Sequence, residues 1–253
     1  MDVMTFIAEI EKLITTRKAG YKKDVNNILS HYGAERETVK DYNGRQLLEL
    51  LQNADDARSQ QVLIKLDTNQ NTLVISNKGK ECNAFSVEGV KSIMYANLSS
   101  KSNGRYIGNK GLGFRSIINW ADEISILTNN IKLNFSQRSS KNIYKDLVTE
   151  KEREEIQKER KLSENEIPMA ILAIPEIEKA NNNDWTTTVA IQYKENFLDD
   201  IKTQIKAIKP EVLLFLNHLQ SIEIDIDNEK KILENQLKNG ILKDSLERCQ
   251  QNI

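Results

Sequence analysis

Two cysteines, three prolines and two histidines in 253 residues leave several chemistries without material. Cys82 and Cys249 lie far apart with no metal-ligand spacing, so they read as two reduced thiols rather than a disulfide framework or a zinc site. His31 and His218 are isolated and read as ordinary packing or surface residues. No apolar run approaches the roughly 18 to 20 residues that a membrane helix needs. The opening MDVMTFIAEIEKLITTRK is amphipathic with mixed charge, unlike a signal peptide. With 36 basic against 37 acidic residues and a net charge of −1, no global basic surface is available for nucleic acid or anionic lipid. Aromatics are only 6%, and no basic-aromatic stripe suited to nucleic acid occurs. The expectation is a cytoplasmic protein with neither a membrane nor a nucleic-acid partner, built as one large domain with helical appendages.

Hydrophobic periodicity supplies the elements. Val3, Phe6, Ile7, Ile10, Leu13 and Ile14 mark a helical face, a packing arm at the N-terminus. A second helical pattern covers Val25 to Tyr32 and stops near Gly33, and a third runs through RQLLELLQNADDARS. QVLIKLD and NTLVISN predict a hairpin over 61–77, Ser86 opens a helix, and helical pattern returns from Phe114 to Trp120. EISILT and IKLNFS form a second hairpin around Asn129-Asn130. EKEREEIQKERKL is a charged, solvated helix, and MAILAIP and TTTVAIQY are two further strands. Helices over Phe197–Ile208 and Glu211–Leu219, the strand SIEIDID and a polar amphipathic end complete the chain. The class is α+β: a mixed or antiparallel sheet with helices on one face. The divisions are a helical arm at 1–40, a main domain at 41–227 and a helical C-terminal extension at 228–253.

Two features carry chemistry. In ELLQNADDA, Glu49, Asn53 and Asp56 recur at i, i+4 and i+7 and share one helix face, opposite Leu47, Leu51 and Ala54. Alone, this spacing equally describes a solvated face. In GRYIGNKGLGFRS, Gly104, Gly108, Gly111 and Gly113 place four of the chain's ten glycines immediately before a helix. Such a segment can converge its N–H groups on an anion, and the helix start adds unpaired donors, so it reads as a polyphosphate cradle or as a mobile loop. It does not end in the Gly-Lys-Ser/Thr of a P-loop, nor does it complete a dinucleotide fingerprint.

ELLQNADDA, VISNKG and YIGNKGLGFRSI together resemble the GHKL ATPase domain, the Bergerat fold of type II topoisomerase ATPase subunits, ninety-kilodalton heat-shock chaperones and histidine kinases. Within it they are most similar to the sacsin-like branch, as is PEVLLFLNHLQSIEI, and the likeness spans roughly residues 42 to 226. The resemblance implies Glu49 as general base, Asn53 as Mg²⁺ ligand, and Asp56 in support deeper toward the nucleotide. Asn77 occupies the place of the family's adenine-binding Asp, a departure that keeps an acceptor but loses the charge. Gly79 follows in the same turn, although Lys80-Glu81 replaces a further glycine. Thr187 matches a threonine that reaches the base through water, with Thr188 available if the register differs. Lys101, Gly108, Asn109, Lys110, Gly111, Leu112, Gly113 and Phe114 complete the nucleotide set. Phe114 also reads as a core residue, and Lys101 and Arg105 as either phosphate contacts or exposed cations.

The implied function is an ATP-binding domain that uses Mg²⁺ and hydrolyses ATP slowly. A lid from about Asn97 to Gly108 would couple ATP and ADP states to homodimerisation, a client or downstream domains, in a chaperone-like or bacterial-defence setting. A nucleotide switch without useful catalysis and an interaction scaffold without nucleotide are the alternatives. No lysine or arginine for the terminal phosphate stands out, which the resemblance assigns to a later segment or a partner. Histidine-kinase chemistry is disfavoured because His31 lacks a paired-helix context.

Overall fold

A computed structural model describes residues 2–41, 44–95, 112–163, 166–181, 184–236 and 241–247. Helix α1 (Val3–Lys23) starts where the Asp2 carboxylate accepts the Thr5 N–H at 2.9 Å, and it buries Phe6, Ile10, Arg17 and Tyr21 along one face. Helix α2 (Asn26–Asp41) does not stop at Gly33. A helix tolerates an interior glycine when burial on either side holds it, here at Ile28 and Glu35. Phe6 and Ile10 belong to the main core, so α1 is an integral part of the helical layer rather than a detached arm.

Among the described residues nine strands form one sheet in the order β5-β4-β3-β6-β2-β1-β7-β8-β9. They are β1 (Gln61–Asp67), β2 (Thr72–Lys78), β3 (Ala121–Thr128), β4 (Ile131–Ser136), β5 (Glu176–Lys179), β6 (Thr187–Tyr193), β7 (Ser221–Ile226), β8 (Glu229–Gln236) and β9 (Ile241–Glu247). Among the described strands only β1 and β7 pair in parallel, and the other pairings are antiparallel. The register aligns one continuous apolar face across Phe135, Ile124, Ile191, Leu73, Leu66 and Ile226, with a second row through Leu133, Ile126, Val189, Ile75, Ile64 and Ile224. Period-2 alternation sends these side chains to one side. There they meet α1, α3 (Gln46–Asp56), α4 (Val87–Met94), α5 (Leu112–Arg115) and α8 (Leu198–Ala207) in the main core. The other face carries Lys132 near Glu123 and Glu178, and Lys230 paired with Glu223 at 2.8 Å. The fold is therefore α+β, with a helical layer on one face of a mixed sheet.

A smaller core lies where α1 and α2 meet α6 (Gln137–Leu147) and α7 (Glu150–Arg160), through Tyr21, Ile28, Tyr144, Val148 and Ile156. The charged helix α7 starts with a capping box between Thr149 and Glu152. Asn129 and Asn130 take positive φ (49° and 58°) between β3 and β4, and Asp227 and Asn228 (52° and 74°) do so between β7 and β8. These short polar side chains make the tight hairpin turns in a glycine-poor chain.

Four further sequence expectations differ from the structure. MAILAIP is a 3₁₀ turn at Ile171–Ala173, with strand β5 beginning after Pro175. Its apolar run reflects burial on two sides, Leu172 in the main core and Met169, Ala170, Ala173 and Ile174 in the smaller one. Glu211–Leu219 is a 3₁₀ turn at Pro210–Leu214 followed by irregular chain, because the N–H groups of Asn217, His218 and Leu219 bind a side chain rather than helical carbonyls. Phe114–Trp120 is one α-turn continued as a 3₁₀ turn at Ser116–Asn119. In the extension at 228–253, expected to be helical, residues 229–236 and 241–247 form strands β8 and β9.

Gly20 and Gly33 sit inside helices, where an added Cβ would meet nothing within 4 Å. Gly20→Ala and Gly33→Ala are each expected to stabilise the fold by about 0.5–1 kcal/mol, and the pair additively. Urea denaturation of the single and double variants checks this.

Candidate functional site

Helix α3 is amphipathic by design of its sequence: Leu47, Leu50, Leu51 and Ala54 are buried on the sheet side. Its first turn is tied to α8, where Gln204 accepts the Leu47 N–H at 3.3 Å and donates to Gln46 Oε1 at 2.7 Å. The last turn closes with the Ala57 and Ser59 N–H groups donating to the carbonyls of Asn53 and Ala54, and Arg58 adopts φ 63°. On the outward side, Glu49 is half-buried while Asn53 and Asp56 are exposed. None of these three side chains is engaged by a hydrogen bond or ion pair among the described residues. The predicted shared face exists, and its polar groups are uncommitted.

Asp55, which sequence reading passed over, fixes this helix in place. Its carboxylate accepts the main-chain N–H groups of Asn217 at 2.9 Å, His218 at 2.6 Å and Leu219 at 3.0 Å, and the residue is only 5% exposed. Three converging N–H donors are a strong site for a buried carboxylate. The single visible signal was the doubled Asp55-Asp56, whose two carboxylates necessarily point about 100° apart on a helix.

Past α3 the apolar face of the sheet ends in a polar rung. Asn77 on β2 pairs with Thr187 on β6, which pairs with Thr128 on β3. All three are nearly buried, and the Thr128 and Thr187 hydroxyls lie 3.5 Å apart. Thr187 shares the face of Val189 and Ile191, whereas Thr188 turns to the opposite face and bonds Ser76 at 2.8 Å. The register thus places Thr187, not Thr188, beside Asn77. The Asn77 amide donates to Ser59 Oγ at 2.8 Å and to Cys82 Sγ at 3.3 Å. Gly79 is required by the protein's own backbone: a Cβ there would stand 2.8 Å from the Gln60 nitrogen and 3.3 Å from the Arg58 carbonyl. Lys78 Nζ lies 4.6 Å from the Trp185 ring centroid.

Lys101, Gly108, Asn109, Lys110 and Gly111 lie outside the described residues, as do Gly104 and Arg105. Leu112 and Gly113 open α5, which packs beside α3. Phe114 is 4% exposed and belongs to the main core, so its ring packs rather than meeting a ligand. Trp120 is likewise a core residue, donating to Asp200 at 2.7 Å. Arg115 turns inward. It donates to the Ile93 carbonyl and lies 3.5 Å from the Glu35 carboxylate, which also accepts the N–H groups of Ile171 at 2.7 Å and Leu172 at 3.1 Å. Arg17 donates to the Met94 carbonyl at 2.7 Å.

Burial governs His31, and these two cations add to it. Its Nδ1 lies 3.0 Å from the Tyr21 hydroxyl, and burial, aided by Arg17 and Arg115, pushes its pKa down to about 4. Burial raises Tyr21 to about 12, keeping it a neutral donor.

A family model described as the sacsin domain matches residues 26–238, most of the chain. The chain belongs to the sacsin-domain family. No curated protein matches it significantly. The match spans α2 through β8, including the helix with Glu49 and Asn53, the Asn77 rung and the Asp55 clamp, and it makes this a sacsin-like, ATPase-related domain. No helix among the described residues is long and apolar enough to cross a membrane.

Two outcomes are expected. Asp55→Ala leaves three N–H groups without their acceptor and should cost about 2–5 kcal/mol, read from urea midpoints. Because the folded pKa of His31 is below its unfolded value, the unfolded chain takes up the extra proton between these two values. That part of the stability is complete above pH 6.5 and is lost as pH falls toward about 4. Unfolding free energies of wild type and His31→Gln across that range should therefore converge toward the acid end.

Proposed function

We propose that this sacsin-like domain binds ATP together with Mg²⁺ and hydrolyses it slowly, with nucleotide state coupled to a partner or to a second copy. The observation that carries the reading is the outward face of α3: Glu49, Asn53 and Asp56 have no hydrogen-bond or ion-pair partner among the described residues, while Asp55 on the same helix is clamped to the chain leading into β7. A helix with a fixed seat and free polar groups suits ligand chemistry better than a solvated face, which needs no anchor. Helix α3 packs against α5, whose first residues, Leu112 and Gly113, end the glycine-rich segment.

The donor set fits a nucleotide with its cation. Asn53 offers a neutral oxygen to Mg²⁺, an ion that keeps most of its ligands from phosphate and water and needs no protein-only cage. When bound, the ion would offset phosphate charge. Glu49, half-buried, would orient the attacking water and take its proton, and Asp56 would hold water toward the base end. Asn77 and Thr187 would meet the base. Main-chain N–H groups of residues 108–113 and Lys110 would receive the phosphates, with lid closure over them.

Glu49→Ala is expected to lower phosphate release by about 10²-fold or more while ATP affinity in calorimetry stays nearly unchanged. Asn77 in place of a carboxylate favours a second reading, a nucleotide switch without turnover. That reading wins if wild type releases phosphate no faster than Glu49→Ala yet binds Mg·ATP. ATP at about 100 times its dissociation constant should add about 2.7 kcal/mol to stability; a complete lack of stabilisation at millimolar Mg·ATP would leave an interaction scaffold.

A further inference from the structure

The Asn77 amide is the ambiguous group of the base end, since turning it by 180° exchanges an acceptor for a donor. Its neighbours remove the ambiguity. As seated, one amide hydrogen goes to Ser59 Oγ at 2.8 Å and the other to Cys82 Sγ at 3.3 Å. The Ser59 hydroxyl can then donate to Cys82 Sγ at 3.2 Å, and the thiol to the Asn83 carbonyl at 3.8 Å. Every hydrogen in this chain of groups has an acceptor. With the amide turned, only the hydroxyl and thiol hydrogens remain to donate, so four contacts fall to two at most. Ser59 is completely buried and Asn77 is 8% exposed, so water replaces the lost partners poorly.

Resting on the nucleotide reading above, we propose that Ser59 and Cys82 are positioning residues that hold Asn77 Oδ1 as the outward acceptor, so that the site selects a purine bearing an exocyclic amine over one bearing a carbonyl. The lock restores by hydrogen bonding the selectivity that a carboxylate would supply by charge. Neither Ser59 nor Cys82 touches the ligand. Both act through Asn77. Cys82 follows the Gly79 turn, and the Asn83 N–H donates to the Ala57 carbonyl at 2.8 Å, so the turn that seats the thiol is itself fastened to the end of α3.

The test is calorimetric titration of ATP and GTP, with Mg²⁺, into wild type, Cys82→Ala, Cys82→Ser, Ser59→Ala and Cys82→Ala combined with Asn77→Asp. Wild type should prefer ATP by about tenfold or more, the worth of one well-placed hydrogen bond. Cys82→Ala and Ser59→Ala should reduce that preference to about twofold, Cys82→Ser should retain it, and the added Asn77→Asp should bring it back because a carboxylate only accepts. A general loss of folding would lower both affinities and leave the ratio where it was; Cys82, which is partly exposed, tolerates truncation better than Ser59. An ATP-to-GTP ratio unchanged in both alanine variants while their ATP affinity stays at the wild-type level, or a wild type with no preference, overturns the assignment while leaving nucleotide binding intact. Failure of wild type to bind either nucleotide overturns the nucleotide reading and this assignment together.

Discussion

The Asp55 carboxylate gathers three main-chain N–H groups from a segment more than 160 residues further along the chain. The rest of the arrangement depends on this contact. It closes the loop between α3 and the chain entering β7, and β7 then pairs in parallel with β1, the strand that follows α3 directly. Parallel neighbours cannot be joined by a tight turn and must be brought together by the intervening fold. Here the junction is fastened at its start, where the Gln60 carbonyl accepts the Gln220 and Ser221 N–H groups. The helix with the candidate catalytic face is therefore seated by the closure of the whole domain, not by its own hydrophobic stripe alone.

A second constraint lies beneath α4. Two guanidiniums, Arg17 and Arg115, are buried with one carboxylate, Glu35, and such an excess of charge is costly unless something else takes it up. The final carbonyls of α4, from Ile93 and Met94, do part of this, because a helix C-terminus favours cations. The faces of Tyr21 and Tyr95, 5.0 Å and 4.2 Å from the Arg17 guanidinium, do more. Glu35 meanwhile ties α2 to the Ile171-Leu172 turn, so one cluster holds α1, α2, α4 and α5 in mutual position.

What the sequence showed plainly were elements whose signal is local. The hairpins turning at Asn129-Asn130 and over 68–71 combine alternating strands with residues that accept positive φ, and the spacing of Glu49, Asn53 and Asp56 places them on one face in any helix. The sacsin-like motifs likewise reside in short contiguous runs, and the family match bears out the branch they indicated. Elements decided by distant contacts were not legible. EKKILENQ reads as polar, yet it is a strand because Leu233 packs into the main core while Lys230 and Glu234 remain on the other face. The run 169–174 reads as a strand because it is apolar throughout, and its burial, complete but for a half-buried Ile171, is divided between two cores, so no pleat is needed. Asp55 and Glu35 look like surface acids until the amides they bind are known. The glycine-rich segment up to residue 111 falls outside the described residues.

The two ends of the proposed site are built differently, and the difference has an energetic logic. At the base end, Gly79 lies against the Arg58–Gln60 backbone, the Asn77 amide is held by two neighbours, and Thr187 faces Thr128 within the sheet. A base entering there meets groups already ordered, so little conformational entropy is lost. On the outward face of α3, Glu49, Asn53 and Asp56 stand exposed or half-buried with no hydrogen-bond or ion-pair partner among the described residues. Desolvating them is favourable only when phosphate and cation arrive together, because a bare carboxylate next to phosphate would repel it. Recognition through the rigid end and chemistry through the open one would make binding precede catalysis, and would allow the same scaffold to act as a switch wherever the open end is left uncompleted.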